Sequence, residues 1–240
     1  HQALQTAIPE AHLEDAVSLW SQTVSAPSEY DVSMIRQTAK IADFGMATAL
    51  SGCHHGAIEY EICVEAMRSM ASMGAEFLHG GGPSTHINIG SGSQVLSNVR
   101  PFLFTTRELS GGDMFWLDLS ASYAGYYVDF DRTVCVGEPT TEQQRIYDAS
   151  KGMYDALLEA IRPGVTGAEV FEKGFQVAKE TGFEDRFNLI YLGHMSGITT
   201  SERPFLIPEE TMELPEGGFI NIEPGIFDPG VGTSSLEAVS

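Results

Sequence analysis

The sequence predicts an α+β domain, and three observations predict it. Two stretches of helical periodicity precede a run of strand and turn sequence, two further capped helices follow that run, and one loop-to-helix pattern occurs twice. In the repeat, Ala49-Leu50, Gly56-Ala57 and Glu61 return as Ala160-Ile161, Gly167-Ala168 and Glu172, joining two helices each time. Read as a duplication, the repeat predicts pseudo-twofold halves with a site between them; the alternative is a loop shape shared by chance.

Residues 1–27 carry no pattern that places them and are set apart from a domain spanning 28–240. Pro27-Ser28-Glu29 opens the first helix with Ser28 as N-cap, since Val32, Ile35, Ala39, Ala42 and Ala49 recur at helical spacing. A second helix runs from about Ala57 to Met73, with Ile58, Ile62, Ala66, Met70 and Met73 on one face. Gly80 to Gly82 and Pro83 end the helical half. From Ile87 to about Val136 the chain reads as strands: Met114-Phe115-Trp116-Leu117 is an apolar run, Tyr126-Tyr127-Val128 is aromatic and β-branched, and Gly125 marks a turn between two paired strands. Thr141 with Gln144 forms a capping box for a helix through about Ile161, and Thr166 with Glu169 forms another for a helix ending near Gly182. Strands return around Phe219–Ile222 and Ser235–Val239.

The charge balance excludes some classes of function. With 33 acidic against 13 basic residues the net charge is -20, which repels phosphate backbones and anionic lipid surfaces, so nucleic acid and membrane are not expected partners. Most of that charge is the solvated surface of a soluble protein. Cys53, Cys63 and Cys135 are widely spaced with no CxxC pair, which indicates neither a disulfide framework nor a zinc knuckle. A reducing compartment fits, and with no visible signal peptide the expected location is cytoplasmic.

Chemistry concentrates in the second half. Asp118 ends an apolar strand, and Gly125 between it and Asp129 allows a hairpin to bring the two carboxylates together. Two acids converging in a core repel each other unless they share a proton or a cation. His194, Glu223 and Glu237 each stand beside apolar strand or Gly/Pro-turn sequence instead of on a charged face. Singly, such residues have ordinary readings as solvated acids, a loop histidine and turn chemistry; as a set they suggest metal ligands.

The ordered motifs sharpen this. Gly112-Asp113, Leu117-Asp118-Leu119, Gly125-Tyr126, Asp129 and Arg132-Thr133 resemble the creatinase, aminopeptidase P, prolidase and methionine aminopeptidase superfamily. Gly193-His194, Gly197, Glu202 and Pro204 match its next motif, and Ile222-Glu223-Pro224-Gly225-Ile226-Phe227 and Leu236-Glu237 match the last two. The resemblance implies the pita-bread fold, with pseudo-twofold halves around a curved antiparallel sheet. It implies two divalent metal ions, with Asp118 on one, His194 and Glu223 on the other, and Asp129 and Glu237 bridging both. Such an oxygen-rich set favours Mn, Fe or Co, with Zn as an alternative. The implied activity is Xaa-Pro peptidase-like hydrolysis of a C–N bond by a metal-bridging hydroxide, with Glu223 shuttling the proton. The implied substrate is a short peptide or small molecule, and the implied assembly a homodimer.

The sequence departs from the superfamily where its peptidases hold the substrate with two further histidines. Pro101 and Ser201 occupy those positions. Asn98 and Arg100 flank the first, and Thr200, Ser201 and Arg203 the second; Ser201 and Arg203 are candidate catalytic stand-ins, the guanidinium offering a planar fork of donors, and the alternative is that these are surface residues. Asp131 stands where peptidases usually have Thr, as an extra ligand, a base or a solvated side chain. These departures keep a second class open: a lyase or non-peptide C–N hydrolase acting on a small zwitterion, similar to dimethylsulfoniopropionate lyase, ectoine hydrolase or creatinase. The short segment before residue 28, and the stop just beyond Glu237 where the superfamily's closing strand continues, are read as marks of a fragment.

Overall fold

The computed structural model describes residues 2–24, 27–77, 84–92, 105–186 and 191–239. Gly80–Pro83, Asn98, Arg100 and Pro101 therefore lie outside the described residues. Two short helices, α1 (Gln2–Ala7) and α2 (Val17–Val24), come first and leave Leu4, Leu19 and Trp20 exposed. The long helix α3 (Glu29–Ser51) starts where its cap dictates: the Ser28 hydroxyl accepts from the Asp31 N–H while the Asp31 carboxylate accepts from the Ser28 N–H. It buries Ile35, Ile41, Ala42, Met46 and Ala49 against α4 (Glu59–Ser72) and the strands behind. Helix α4 begins later than its periodicity suggests, because Ala57 and Ile58 are engaged elsewhere: Leu109 N–H donates to Ala57 O and Ile58 bridges Glu108.

Strands β1 (His86–Ser91), β2 (Met114–Tyr123) and β3 (Tyr126–Cys135) form an antiparallel sheet in that order. Ala124 (φ 53°) and Gly125 (φ 81°) close the β2–β3 hairpin, the doubly left-handed pair that suits strand twist. Helix α5 (Thr141–Ala160) corrects the expected cap by one residue. Thr140 and Gln143 make the box, since Thr140 holds the extended backbone an N-cap needs and Thr141 is already helical. Helix α6 (Gly167–Thr181) has the expected Thr166 and Glu169 box and ends at Gly182 in the left-handed conformation.

The closing strands are short: β4 (Gly193–Met195), β5 (Glu202–Phe205), β6 (Ile220–Ile222), β7 (Gly225–Asp228), β8 (Gly232–Ser235) and β9 (Ala238–Val239). They pair as β5-β4-β6-β9 and β7-β8. The expected strand over Ser235–Val239 is thus interrupted at Leu236-Glu237. Leu236 bridges Arg132, and the Glu237 N–H donates to Asp131 O, so this break joins the second set of strands to β3. No helix among the described residues is long and apolar enough to cross a membrane.

The duplication is visible in hydrogen bonds, in a different register from the sequence echo. Gly56 (φ 84°) and Gly164 (φ 83°) occupy matching turns. Gly56 N–H donates to Leu109 O at 2.8 Å and Gly164 N–H to Leu214 O at 3.0 Å, while Leu109 and Leu214 return bonds to Ala57 and Val165. Gly164, not Gly167, is the counterpart of Gly56. Gly112 then leads into β2 and Asp118 as Gly217 leads into β6 and Glu223, at equal steps. Each half has its own core: one around Ile41, Met70, Phe115 and Leu117, the other around Met153, Leu157, Val170 and Ile222.

Gly167 has its own reason to be glycine. A Cβ there would lie 2.1 Å from the Phe205 carbonyl oxygen and 2.8 Å from Glu210 Cγ. Since a backbone carbonyl cannot swing aside, Gly167→Ala is expected to lower unfolding free energy by about 2–3 kcal/mol, read from urea denaturation. A change below about 0.5 kcal/mol, typical of an unconstrained surface site, would refute this packing account.

Candidate metal centre

Strand register assembles the first half of the site. Asp118 lies opposite Asn88 on one side and Asp131 on the other, while Ser120 lies opposite His86 and Asp129. Directly opposed residues, and residues two apart on a strand, share a face. Asp118, Asp129 and Asp131 therefore project from one side of the hairpin. The second half supplies the rest: His194 on β4 opposite Asn221 on β6, Glu223 just after β6, and Glu237 in the gap before β9. Ligand atoms of Asp129, His194 and Glu237 lie within 4.8 Å of one another. Glu223 Oε1 is buried 3.2 Å from His194 Nε2 and has no other polar partner among the described residues. Arg132 pins the two halves together, its Nη1 donating to the main-chain oxygens of Asp131 and Glu237 at 2.6 Å each.

Neutral donors hold the carboxylates. Asn88 Nδ2 donates to Asp118 Oδ2 at 2.7 Å, and Asn221 Nδ2 donates to Asp129 Oδ1 and, at 2.9 Å, to Glu237 Oε1. The Tyr127 hydroxyl reaches Ser120 Oγ at 2.5 Å and Asp129 Oδ2 at 3.3 Å, and His86 Nε2 lies 3.1 Å from the same Ser120 Oγ. Nothing in the sequence assigns these residues an orienting role, although one signal marks two of them. Asn88 and Asn221 each sit in an Ile-Asn-Ile triplet, a lone amide in an apolar strand, once in each half. Asn221→Leu would leave Asp129 and Glu237 without their shared donor; the expected result is a 10–100-fold weaker divalent-metal affinity, measured by calorimetric titration.

The electrostatics show what the cluster lacks. Burial, followed by mutual repulsion, pushes Asp118 up to about 6, Asp129 to about 7 and Asp131 to about 8, and holds Glu237 well above its ordinary value. Burial alone would lower the His194 pKa, but the neighbouring carboxylates of Glu223 and Asp129 outweigh it and raise it to about 9. His194 Nδ1 lies 2.9 Å from Met195 O, which fixes Nε2 toward the acids, where it becomes a lone-pair donor once a cation displaces its proton. The Glu223 oxygen and the imidazole nitrogen turned to each other, among carboxylates that resist ionisation, together fit a divalent cation.

Other expected site residues fall elsewhere. Arg203 is not turned to the cluster: Nε and Nη2 grip the buried Glu210 carboxylate at 2.9 and 2.6 Å, and Glu210 also accepts from the Phe205 and Met212 N–H groups. Its guanidinium closes a loop, because a buried carboxylate needs a fixed fork of donors more than a surface turn does. Thr200 and Ser201 are exposed in the turn before β5, where Ser201 touches the Tyr191 hydroxyl. Tyr191, which the sequence reading passed over, packs edge-on to His194 with ring centroids 5.4 Å apart. Asp131 is 3% exposed, which removes its reading as a solvated side chain.

Two like halves closing over a buried set of carboxylates and one imidazole define a pita-bread domain of the metallopeptidase kind. The chain belongs to metallopeptidase family M24, which matches residues 33–239. It is 30% identical over 207 residues to the Xaa-Pro dipeptidase of Pyrococcus furiosus, covering 86% of this chain and 57% of that protein. Among solved structures it is similar to the prolidase from Pyrococcus horikoshii, with a TM-score of 0.89 and 26% identity over 99% of this chain and 66% of the other. It is likewise similar to the prolidase from Pyrococcus furiosus, with a TM-score of 0.84 and 27% identity over 92% of this chain and 64% of the other. The chain thus spans less than two thirds of the length of the relatives it matches.

Proposed function

We propose that residues 28–240 carry the catalytic domain of a metal-dependent hydrolase that cleaves a C–N bond in short peptides, of the prolidase type. The observation that supports this reading is the grouping of Asp129, His194 and Glu237 from both halves of an M24 domain, with Glu223 against His194 and Asp118 on the same hairpin face as Asp129. Asp118 would hold one ion, His194 and Glu223 a second, with Asp129 and Glu237 shared between them. Oxygen-dominated donors favour Mn, Fe or Co over softer metals, with Zn as the alternative. When bound, such ions lower the pKa of a water and polarise the carbonyl under attack.

The chain's own residues do the remaining work. Asn88, Asn221 and Tyr127 fix the carboxylates that must not rotate. Glu223, whose buried Oε1 has only His194 Nε2 beside it among the described residues, is placed to take the proton of the attacking water. The water oxygen joins the carbonyl carbon, the C–N bond breaks, and that proton leaves on the amine. The same reading carries a homodimer, and the free Cys53, Cys63 and Cys135 support a cytoplasmic location.

A lyase or non-peptide C–N hydrolase acting on a small zwitterion is the second reading, supported by Asp131 as an additional buried acid opposite Asp118. Full-length protein loaded with Mn is to be offered Xaa-Pro dipeptides and small zwitterions in oxygen-labelled water. The expected result is free proline together with label in the new carboxylate. An alkene product without label would replace this reading by the second, and the absence of bound metal would sink both.

A further inference from the structure

Asp131 is the acid in the cluster that the ligand assignment above leaves without a task. It is 3% exposed and stands directly across the hairpin from Asp118. Its two oxygens are treated differently. Oδ2 accepts from Trp116 Nε1 at 3.1 Å, whereas the buried Oδ1 has no close hydrogen-bond partner among the described residues beyond the nearby Ser235 hydroxyl. The Ser235 hydroxyl lies beside the same carboxyl, and its bond to Pro224 O is long, at 3.4 Å.

Like charges directly opposite on a sheet are destabilising, and on a buried face no water screens them. A structural acid in that position ordinarily has a guanidinium or ammonium against it. Here the adjacent cation is Arg132, and the hydrogen bonds described for its Nη1 go to the main-chain oxygens of Asp131 and Glu237. Its guanidinium carbon rests 5.2 Å from the Phe130 ring centroid. Trp116 thus fixes one oxygen of Asp131 and leaves the other on the face that Asp118 and Asp129 share. An oriented, orphaned carboxylate oxygen beside a ligand is what a cation site requires and what a packed core avoids.

We propose that Asp131 is a further carboxylate ligand of the metal centre, on the Asp118 side, so that the hairpin supplies three acids to the ions. This inference rests on the metal-centre reading above. The extra negative charge tightens binding of hard divalent cations at that side and makes the two ion positions unequal.

The test is a titration of metal-free, full-length protein with Mn²⁺, followed by calorimetry, for the wild type, Asp131→Asn and Asp131→Ser. The asparagine keeps an acceptor for Trp116 and removes only the charge. The wild type is expected to bind in two steps. Both variants weaken one step by at least about tenfold, leave the other unchanged, and melt at or above the wild-type temperature when metal-free. Unchanged affinities at both steps overturn the proposal. So does equal weakening of both steps with a lowered metal-free melting temperature, since that pattern marks Asp131 as a structural residue. If the wild type takes up no Mn²⁺, the metal-centre reading fails instead.

Discussion

Asp129→Ala lowers kcat/KM on the substrate that the metal-loaded protein cleaves by at least about a thousandfold, equivalent to about 4 kcal/mol of transition-state stabilisation. The size follows from its position. Asp129 is grouped with His194 and Glu237 within 4.8 Å and takes hydrogen bonds from Asn221 and Tyr127, so it is held by both halves at once. On the proposed assignment Asp129 serves both ions, so water in its place would loosen both. Folding is a separate matter: Asn221 keeps Glu237 as an acceptor, and circular dichroism of the variant should match the parent. Activity within tenfold of wild type in a folded variant would refute the shared-ligand role.

Stripping metal with a chelator destabilises the protein strongly at pH 8 and little at pH 5. The sign follows from the acids. Asp118, ordinarily near 3.8, is pushed up to about 6 by burial, and Asp129 and Asp131 go to about 7 and 8. A carboxyl whose folded pKa lies above its unfolded value contributes stability that is complete below about pH 4 and is lost as pH rises through the folded value. His194, raised to about 9, acts in the same sense: its contribution is full below about pH 6.5 and is lost above pH 9. The metal-free protein therefore weakens between about pH 4 and pH 9, while bound cations favour the ionised acids and reverse the trend. The carboxylates titrate together, so one acid sets the minimum effect. A shift of about 2 pH units in Asp118 is worth about 3 kcal/mol, or about 6–12 °C in a domain of this size. The measurement is the difference in Tm with and without chelator across pH 5–8. A difference independent of pH would show that the acids carry no buried charge in the metal-free state.

Much of this molecule was readable before folding because its signals are local. Ser28 and Thr166 cap helices through side chains that reach three residues along the chain, and Gly125 marks its hairpin turn through backbone preference, while Ala124 takes its left-handed angle from the pairing. The shifted cap at Thr140 shows the limit of such signals. Two overlapping threonine and glutamine pairs compete there, and only the backbone angle separates them. The echo between the halves was readable as well, but its register was not. The glycines that correspond are those whose turns make the same bonds to Leu109 and Leu214.

For the site, residue type and spacing pick out the acids and the histidine that adjoin apolar strands, and the ordered motifs around them point to the family. Tertiary structure alone decided how each is held. Arg203 looks like a free guanidinium in the sequence, yet Glu210 claims it through a loop. Asn221 looks like an ordinary strand amide, yet it joins Asp129 to Glu237. Asp131 could have been solvated until strand pairing set it against Asp118 and burial removed the water. The physical reason is the same in each case. Residue type and spacing specify what a side chain can do, whereas its partner is chosen by strand register and by the packing of one half against the other, which bring together residues far apart in the chain.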